Sequence, residues 1–188
     1  MRYSKLFITG YDKNTNWMFD WFMDNFSQHT DIPILPYDFD EFKTPIDGVK
    51  NWFKKPFAMI DAAKQAESVC WIDLDCHVQG PVDDIFNYLE PNKLAMVEDV
   101  PWSSRRGETW HNSGVVAFTG RPIILDEWAS RVALGPSVGD QEVLHGIVRE
   151  GMKRLIHITD LPRKYNTLRL DLLDKSAPKD ISIMHWTG

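Results

Sequence analysis

Short apolar runs bounded by turn residues alternate with longer segments of helical periodicity along the 188 residues of this chain. Such alternation is typical of an α/β fold, in which helices connect the strands of one sheet. The length suits one domain that can bury a core without disulfides. We therefore predict a single domain over residues 1–188, with a mostly parallel central sheet flanked by helices.

These runs also predict where the individual elements lie. The apolar runs predict strands at Leu6–Thr9, Ile32–Leu35, Val69–Ile72, Leu94–Val97, Val115–Phe118, Leu155–Ile158 and Ile181–Met184. The periodic segments predict helices at Trp17–Phe26, Pro56–Ala66, Val82–Leu89, Ile123–Leu134 and Gln141–Glu150, with Asp140 as the N-cap of the last. The stretches Asp38–Lys50 and Val100–Trp110 read as functional loops.

Charge and cysteine content narrow the partners and the compartment. With 27 acidic and 21 basic residues, a net charge of -6 disfavours nucleic acid as a partner. Cys70 and Cys76 lack the spacing of a zinc or redox pair, which predicts reduced thiols and a cytoplasmic location. No run approaches the roughly 20 apolar residues of a membrane span, so we expect a soluble protein without a signal segment.

The strongest local signal is the triplet Asp73-Leu74-Asp75, which follows the apolar run Val69–Ile72. Alternate residues of a strand point the same way, so both carboxylates would project together if the strand geometry continued to Asp75. Ligands bind open α/β sheets at this carboxyl edge, and paired carboxylates there suit Mg²⁺ or Mn²⁺. A solvated acidic turn is the alternative for any isolated Asp-x-Asp.

Further motifs follow the triplet in a definite order. They are Glu98-Asp99 after an apolar run, Asn112-Ser113-Gly114 before the next run, Asp140-Gln141 at a predicted helix start, and His185-Trp186-Thr187-Gly188. In this order they resemble a GT-A-type (Rossmann-like) glycosyltransferase of the retaining family that contains glycogenin and the bacterial lipopolysaccharide galactosyltransferases. The resemblance extends from Phe7 to Gly188 and makes this chain a small, shortened member.

The resemblance implies a role for each motif. The implied metal ligands, for Mn²⁺ or Mg²⁺, are Asp73, Asp75 and His185. The implied nucleotide-binding residues are Thr9, Gly10, Tyr11, Lys55 and Asp73, with Lys54 an equally basic neighbour of Lys55. The implied sugar-binding residues are Asp99, Asn112, Ser113, Gly114, Asp140 and Gln141, the last two being catalytic and Gln141 lying near the reacting carbon. Relatives carry a further Lys that contacts the leaving diphosphate; candidates to replace it here are Lys55, Arg105 and Arg106.

The implied activity is that of a metal-dependent hexosyltransferase. It would move a hexose from a nucleotide-diphosphate sugar, such as UDP-glucose or UDP-galactose, to a hydroxyl of a glycan, lipid or protein acceptor, with retention of configuration. Two alternatives stay open. Ile72–Asp75 also resembles the nucleophile strand of haloacid-dehalogenase-like phosphatases, and a nucleotide-sugar or glycan-binding module without turnover would keep the same pocket.

Overall fold

The computed structural model describes residues 2–186, which form two sheets and the helices around them. The strands are β1 (Tyr3–Tyr11), β2 (Ile34–Asp38), β3 (Ala66–Ile72), β4 (Cys76–Val78), β5 (Leu94–Glu98), β6 (His111–Thr119), β7 (Ile158–Asp160), β8 (Thr167–Leu168) and β9 (Ile183–His185). The α-helices are α1 (Phe19–Phe26), α2 (Lys55–Gln65), α3 (Val100–Arg106), α4 (Ile123–Ala133), α5 (Asp140–Val148), α6 (Lys153–His157) and α7 (Arg169–Leu173). Short 3₁₀ helices lie at Asn16–Met18, Asn51–Phe53, Asp83–Tyr88 and Arg163–Tyr165.

The central sheet has six strands in the order β2-β1-β3-β6-β5-β7. β6 runs antiparallel to its neighbours β3 and β5, and the other pairs in this sheet are parallel. A second sheet has the order β4-β9-β8. The predicted α/β class with a mostly parallel sheet is therefore confirmed.

Each face of the central sheet is covered by its own apolar core. Leu6 and Ile8 of β1 belong to the core that includes residues of α2, α4 and α5, whereas Phe7 belongs to the core that includes residues of α1 and the second sheet. This alternation is the two-residue period of a strand. Because both faces are buried, the central strands read as continuous apolar runs, and this made them recognisable in the sequence.

Two predicted elements are wrong, the first of them because a short apolar run does not distinguish helix from strand. The predicted strand Leu155–Ile158 is helix α6 up to His157, and Leu155 is 55% exposed rather than buried in the sheet. The predicted helix Val82–Leu89 is a 3₁₀ helix over Asp83–Tyr88. The strands expected at Ile32–Leu35 and Ile181–Met184 begin two residues later, and they span Ile34–Asp38 and Ile183–His185.

Helix ends account for two further corrections. The predicted loop Val100–Trp110 contains helix α3, because the Asp99 carboxylate accepts a hydrogen bond from Trp102 N at 3.0 Å and Gly107 closes the helix at φ 69°. Asp140 is not the N-cap of α5; Gly139 holds that position and makes no side-chain cap. The Asp140 carboxylate is thereby free for other contacts. None of the helices within residues 2–186 has the length and apolar character needed to cross a membrane.

Candidate functional site

The Asp73-Leu74-Asp75 segment is a tight turn that joins β3 to β4. Asp73 N donates a hydrogen bond to Gly114 O of β6 at 2.8 Å, and Cys76 N donates to Asp73 O at 3.1 Å. Leu74 is buried in the core, while Asp73 and Asp75 both line one cleft. The strand geometry therefore stops before Asp75, and the turn brings the carboxylates together.

The second sheet places His185 beside this turn. His185 pairs with Cys76 in the antiparallel β4–β9 ladder, and Trp186 N donates to Asp75 O at 2.9 Å. As a result, His185 Nε2 lies 3.1 Å from Asp75 Oδ1 and 4.0 Å from Asp73 Oδ2. Two carboxylates and one imidazole that are distant in sequence thus meet at one point.

The His185 ring is oriented by two buried amides. Its Nδ1 lies 3.1 Å from Asn112 Oδ1 and 3.0 Å from Asn166 Oδ1, so Nδ1–H can donate to either oxygen. A Cβ on Gly114 would lie 2.1 Å from His185 Cε1, so the ring packs directly on the Gly114 backbone. Nε2 lies on the side of Asp75 and can donate to it when protonated; with a proton held on Nδ1 by the amides, Nε2 is the nitrogen that would be available to a metal.

Lys55, at the start of α2, joins the acidic turn to α5. Its side chain is buried, with Nζ 3.0 Å from Asp73 Oδ1, 3.3 Å from Asp140 Oδ2 and 3.2 Å from Ser113 O. Burial lowers the pKa of Lys55, but the Asp140 and Asp73 carboxylates outweigh it and leave the pKa above its ordinary value. Lys55 is therefore a fixed positive charge in the cleft.

The pKa values of the two turn carboxylates shift in opposite directions. Burial raises the pKa of Asp73 despite the nearby Lys55 ammonium. Burial also acts to raise the pKa of Asp75, but the hydrogen bond and charge of His185 hold it below the ordinary value. Asp75 is thus the carboxylate whose charge the surrounding protein favours.

The first turn of α5 supplies Asp140 and Gln141. Trp128 Nε1 of α4 donates to Asp140 O at 2.9 Å and ties the start of α5 to α4. Gln141 Oε1 accepts from Ser113 N at 3.0 Å, and Ser113 Oγ lies 3.3 Å from Asp140 Oδ2. The Asn112-Ser113-Gly114 and Asp140-Gln141 motifs are therefore in direct contact.

Two clefts meet at these side chains. The larger cleft, about 340 Å³, is lined by Lys55, Asp73, Asp75, Asp99, Trp102, Asn112, Ser113, Gly114, Asp140, Gln141, Glu142, Leu168, Leu170 and His185. The smaller, about 240 Å³, is lined by Gly10, Tyr11, Asp12, Thr15, Phe39, Asn51, Trp52, Lys55, Trp71, Asp73 and Asp140. Because Lys55, Asp73 and Asp140 line both, a ligand could extend from one into the other.

The charge of the larger cleft suits a cation. Five carboxylates and one lysine line it, so an anionic ligand would be repelled unless a cation bound with it. Asp75, Cys76 and His185 place ligand atoms within 4.8 Å of one another. Burial raises the pKa of the Cys76 thiol well above its usual value, and the neighbouring carboxylates add to this. Oxygen and imidazole donors beside a neutral thiol fit Mn²⁺ or Mg²⁺.

Comparison with known proteins identifies the fold. No protein-family model and no curated protein sequence matches the chain. Among solved structures, the galactosyltransferase LgtC, in complex with donor and acceptor sugar analogs, aligns with a TM-score of 0.66 at 12% identity over 97% of this chain and 87% of its own. A glycosyltransferase involved in glycosylation of the major capsid of PBCV-1 aligns with a TM-score of 0.66 at 15% identity over 96% and 92%. The glycosyltransferase GlyE of Streptococcus pneumoniae gives 0.68 at 17% identity over 98% and 55%.

The chain has the GT-A-type glycosyltransferase fold. This confirms the resemblance inferred from the order of the motifs, at the level of the fold. In this GT-A-type chain the two clefts lie at the end of β3 and beside the start of α5.

Most residues singled out in the sequence line one of the two clefts of this GT-A fold. Thr9 is an exception, because its side chain is fully buried and it is not among the lining residues. Lys55 enters both clefts, whereas Lys54 Nζ donates to the backbone oxygens of Phe39 and Phe42. Gly188 and Thr187 of the C-terminal motif lie outside the described residues.

The two arginine candidates for contacting a diphosphate are engaged elsewhere. Arg105 pairs with Asp174 at 2.9 Å, and the Arg106 guanidinium lies 4.6 Å from the centroid of the Trp102 ring. Neither is among the residues that line the two clefts. Lys55 is thus the predicted candidate that the structure brings to the junction.

Sequence reasoning missed three residues that position the site. Trp71 Nε1 donates to Asp73 Oδ1 at 2.6 Å, Asn166 orients His185, and Trp128 holds the start of α5. Trp71 lies two residues before Asp73, so the motif itself contained that signal. Asn166 and Trp128 act across the fold on residues 19 and 12 positions away, and no local pattern marks them.

Proposed function

We propose that this chain is a metal-dependent glycosyltransferase. It transfers a hexose from a nucleoside-diphosphate sugar, a UDP-sugar, to an acceptor hydroxyl with retention of configuration. The observation that carries the proposal is the meeting of Asp75 and His185 with Lys55 and Asp140 where two clefts join. One cleft is the size of a sugar site, and the other carries the aromatic side chains that suit a nucleobase.

The proposed metal ligands are Asp73, Asp75 and His185. When bound there, Mn²⁺ or Mg²⁺ supplies positive charge to the leaving diphosphate. Asn112 and Asn166 hold the imidazole through Nδ1, which would leave Nε2 to bind such an ion. The Lys55 ammonium, buried between two carboxylates at the junction of the clefts, adds a second positive charge beside the diphosphate.

The proposed sugar ligands surround the larger cleft. The carboxylates of Asp99 and Asp140 accept from sugar hydroxyls, and the amide nitrogens of Asn112 and Gln141 can donate, since their oxygens already accept from Gly114 N and Ser113 N. The Ser113 contacts to Asp140 and Gln141 hold both side chains in place, which orients the reacting carbon. Attack by the acceptor from the same face as the departing diphosphate gives retention without a covalent nucleophile.

The phosphatase alternative receives no support from the acidic turn. Such an enzyme needs its first Asp free to attack phosphorus. Asp73 instead contacts Lys55 through both carboxylate oxygens and accepts the Trp71 N–H. The non-catalytic binding alternative shares the same pocket and is decided by the experiment.

The test is a screen of nucleotide sugars with Mn²⁺ for thermal stabilisation and turnover, using wild type, Asp75→Ala and the exposed control Asp31→Ala. We expect Mn²⁺-dependent stabilisation by a UDP-hexose in wild type and Asp31→Ala, and its loss in Asp75→Ala. Donor hydrolysis or transfer would show an enzyme, whereas binding without turnover would favour the binding module. If the UDP-hexose with Mn²⁺ still stabilised Asp75→Ala, the site would be wrong. A product whose anomeric proton signal shows the opposite configuration from the donor would contradict retention.

A further inference from the structure

Within residues 2–186, four tryptophans are exposed, and one of them lines a cleft. Trp17 is 79%, Trp52 60%, Trp21 47% and Trp186 45% exposed. Trp52 lines the smaller cleft, in the short helix Asn51–Phe53 that precedes α2. An exposed indole forgoes the hydrophobic free energy of burial, so its place at the rim of a cleft favours contact with a ligand.

The turn that carries Trp52 is held firmly although its indole is not buried. Phe53 is 1% exposed and anchors the turn in the core. Asn51 Nδ2 donates to Asp40 Oδ1 at 2.8 Å and to Asp12 Oδ2 at 3.3 Å, which ties the turn to the loops after β2 and β1. The backbone that carries Trp52 is therefore ordered before a ligand binds, and Lys50 Nζ lies 5.2 Å from the centroid of the indole ring.

The position of Trp52 in the cleft limits what it can contact. Tyr11, from the end of β1, and Trp52 line the same cleft of about 240 Å³. That cleft continues through Lys55 and Asp73 into the larger one. A ligand with an anionic group at Lys55 would thus extend its other end toward Trp52, and a flat aromatic group is what an indole face binds best.

We propose that Trp52 is a base-binding residue, which stacks on the nucleobase of a nucleoside diphosphate whose diphosphate lies at Lys55. This inference rests on the proposed function and assigns a second aromatic side chain, beside Tyr11, to its nucleotide site. Because every base has an aromatic face, Trp52 adds affinity for the base without choosing among bases.

The test measures binding of UDP and of inorganic pyrophosphate, each with Mn²⁺, by calorimetry. We compare wild type, Trp52→Ala, Trp52→Phe and the control Trp17→Ala, which removes a more exposed tryptophan that is not among the cleft-lining residues. Trp52→Ala should bind UDP about ten- to hundred-fold more weakly, the range of one lost base–aromatic stack. Its pyrophosphate affinity should be unchanged, and Trp52→Phe and Trp17→Ala should stay close to wild type.

Each other outcome overturns a defined part of the proposal. Equal UDP affinity in wild type and Trp52→Ala, or an equal loss of UDP and pyrophosphate affinity, would overturn the role of Trp52 alone. A wild type that binds pyrophosphate but not UDP would overturn the base site. A wild type that binds neither probe would overturn both this inference and the proposed function.

Discussion

At the scale of single residues, the packing of the site leaves no room for a side chain at Gly114. The His185 ring lies so close to the Gly114 backbone that a Cβ would come within 2.4 Å of Nδ1. Gly114 N also donates to Asn112 Oδ1, the oxygen that faces the same imidazole. The resemblance implied that Gly114 binds the sugar, and the group that lies against its backbone is the His185 ring.

Gly114→Ala should displace His185 and weaken Mn²⁺ binding. Overpacking of this kind costs about 1–3 kcal/mol of stability. The control is Gly146→Ala in α5, where a Cβ meets nothing within 4 Å, and we expect it to stabilise the protein by about 0.5–1 kcal/mol. Thermal unfolding of each variant with and without Mn²⁺ measures its stability and its Mn²⁺ binding. Wild-type Mn²⁺ affinity in Gly114→Ala would show that His185 is not a ligand.

Lys55→Met should leave the Asp73 and Asp140 carboxylates without their shared cation. The expected loss is about 2–3 kcal/mol, less than for fully buried pairs because these side chains are 24% and 20% exposed. Since folding raises the pKa of Lys55, its contribution is complete below the ordinary lysine value of 10.5 and is lost only as the pH rises further. The difference in free energy of unfolding between Lys55→Met and wild type should therefore stay constant from neutral pH to about pH 9.

The matched control for that change is Lys54→Met. Lys54 donates to two backbone oxygens of the loop after β2, so its loss should cost about 1 kcal/mol and leave UDP affinity unchanged. Chemical denaturation and calorimetry separate the two effects. Equal UDP affinity in Lys55→Met and wild type would show that Lys55 serves stability rather than the ligand.

At the scale of elements, helix α3 depends on a residue that also faces the cleft. Asp99 caps α3 through Trp102 N and lines the larger cleft. Burial raises its pKa even though the cap hydrogen bond acts in the opposite direction. One side chain thus has a structural and a proposed ligand-binding role, and substitutions can separate them.

Asp99→Asn should keep the cap and lose only the charge offered to the sugar. We expect its stability to stay within about 0.5 kcal/mol of wild type, because Asn and Asp cap helices equally well, whereas Asp99→Ala should lose about 1 kcal/mol. UDP affinity should be unchanged in Asp99→Asn, and affinity for the UDP-hexose should fall. Unaltered UDP-hexose affinity in both variants would limit Asp99 to capping.

At the scale of the whole molecule, the thiols report on global opening. Cys70 and Cys76 are both free and fully buried, Cys70 in β3 and Cys76 in β4. Burial raises the pKa of both thiols, so little thiolate is available in the folded state. This agrees with the expectation that the cysteines are reduced.

A disulfide exchange reagent should therefore label neither thiol until the protein unfolds. We expect two thiols per chain to react at once in denaturant, and very slow reaction of the native protein, since a stability of about 5–15 kcal/mol leaves few molecules open. Absorbance of the released reagent follows both reactions. Fast labelling of Cys76 in the native state would show that the β4–β9 ladder opens locally.

The sequence alone determined the central strands, the acidic triplet and the order of the motifs. Strands such as Val69–Ile72 are buried on both faces, so they appear in the sequence as continuous apolar runs. The cap at Asp99 is equally local, in the residues Asp99-Val100-Pro101, although the stretch Val100–Trp110 was predicted as a loop. Exposed apolar residues such as Leu155 led to a wrongly predicted strand, because neighbouring residues do not indicate whether an apolar side chain is buried.

Only the tertiary structure decided which side chains meet. Lys55 rather than Lys54 enters the clefts, because the turn before α2 directs Lys54 to backbone oxygens. His185 comes to Asp75 through the β4–β9 pairing, and Asn166 fixes its ring. These contacts join segments far apart along the chain, and their energies depend on how sheets and helices pack. A pattern of neighbouring residues specifies which side chains are buried and whether their spacing is that of a helix or a strand. It does not specify which distant segment of the chain packs against them.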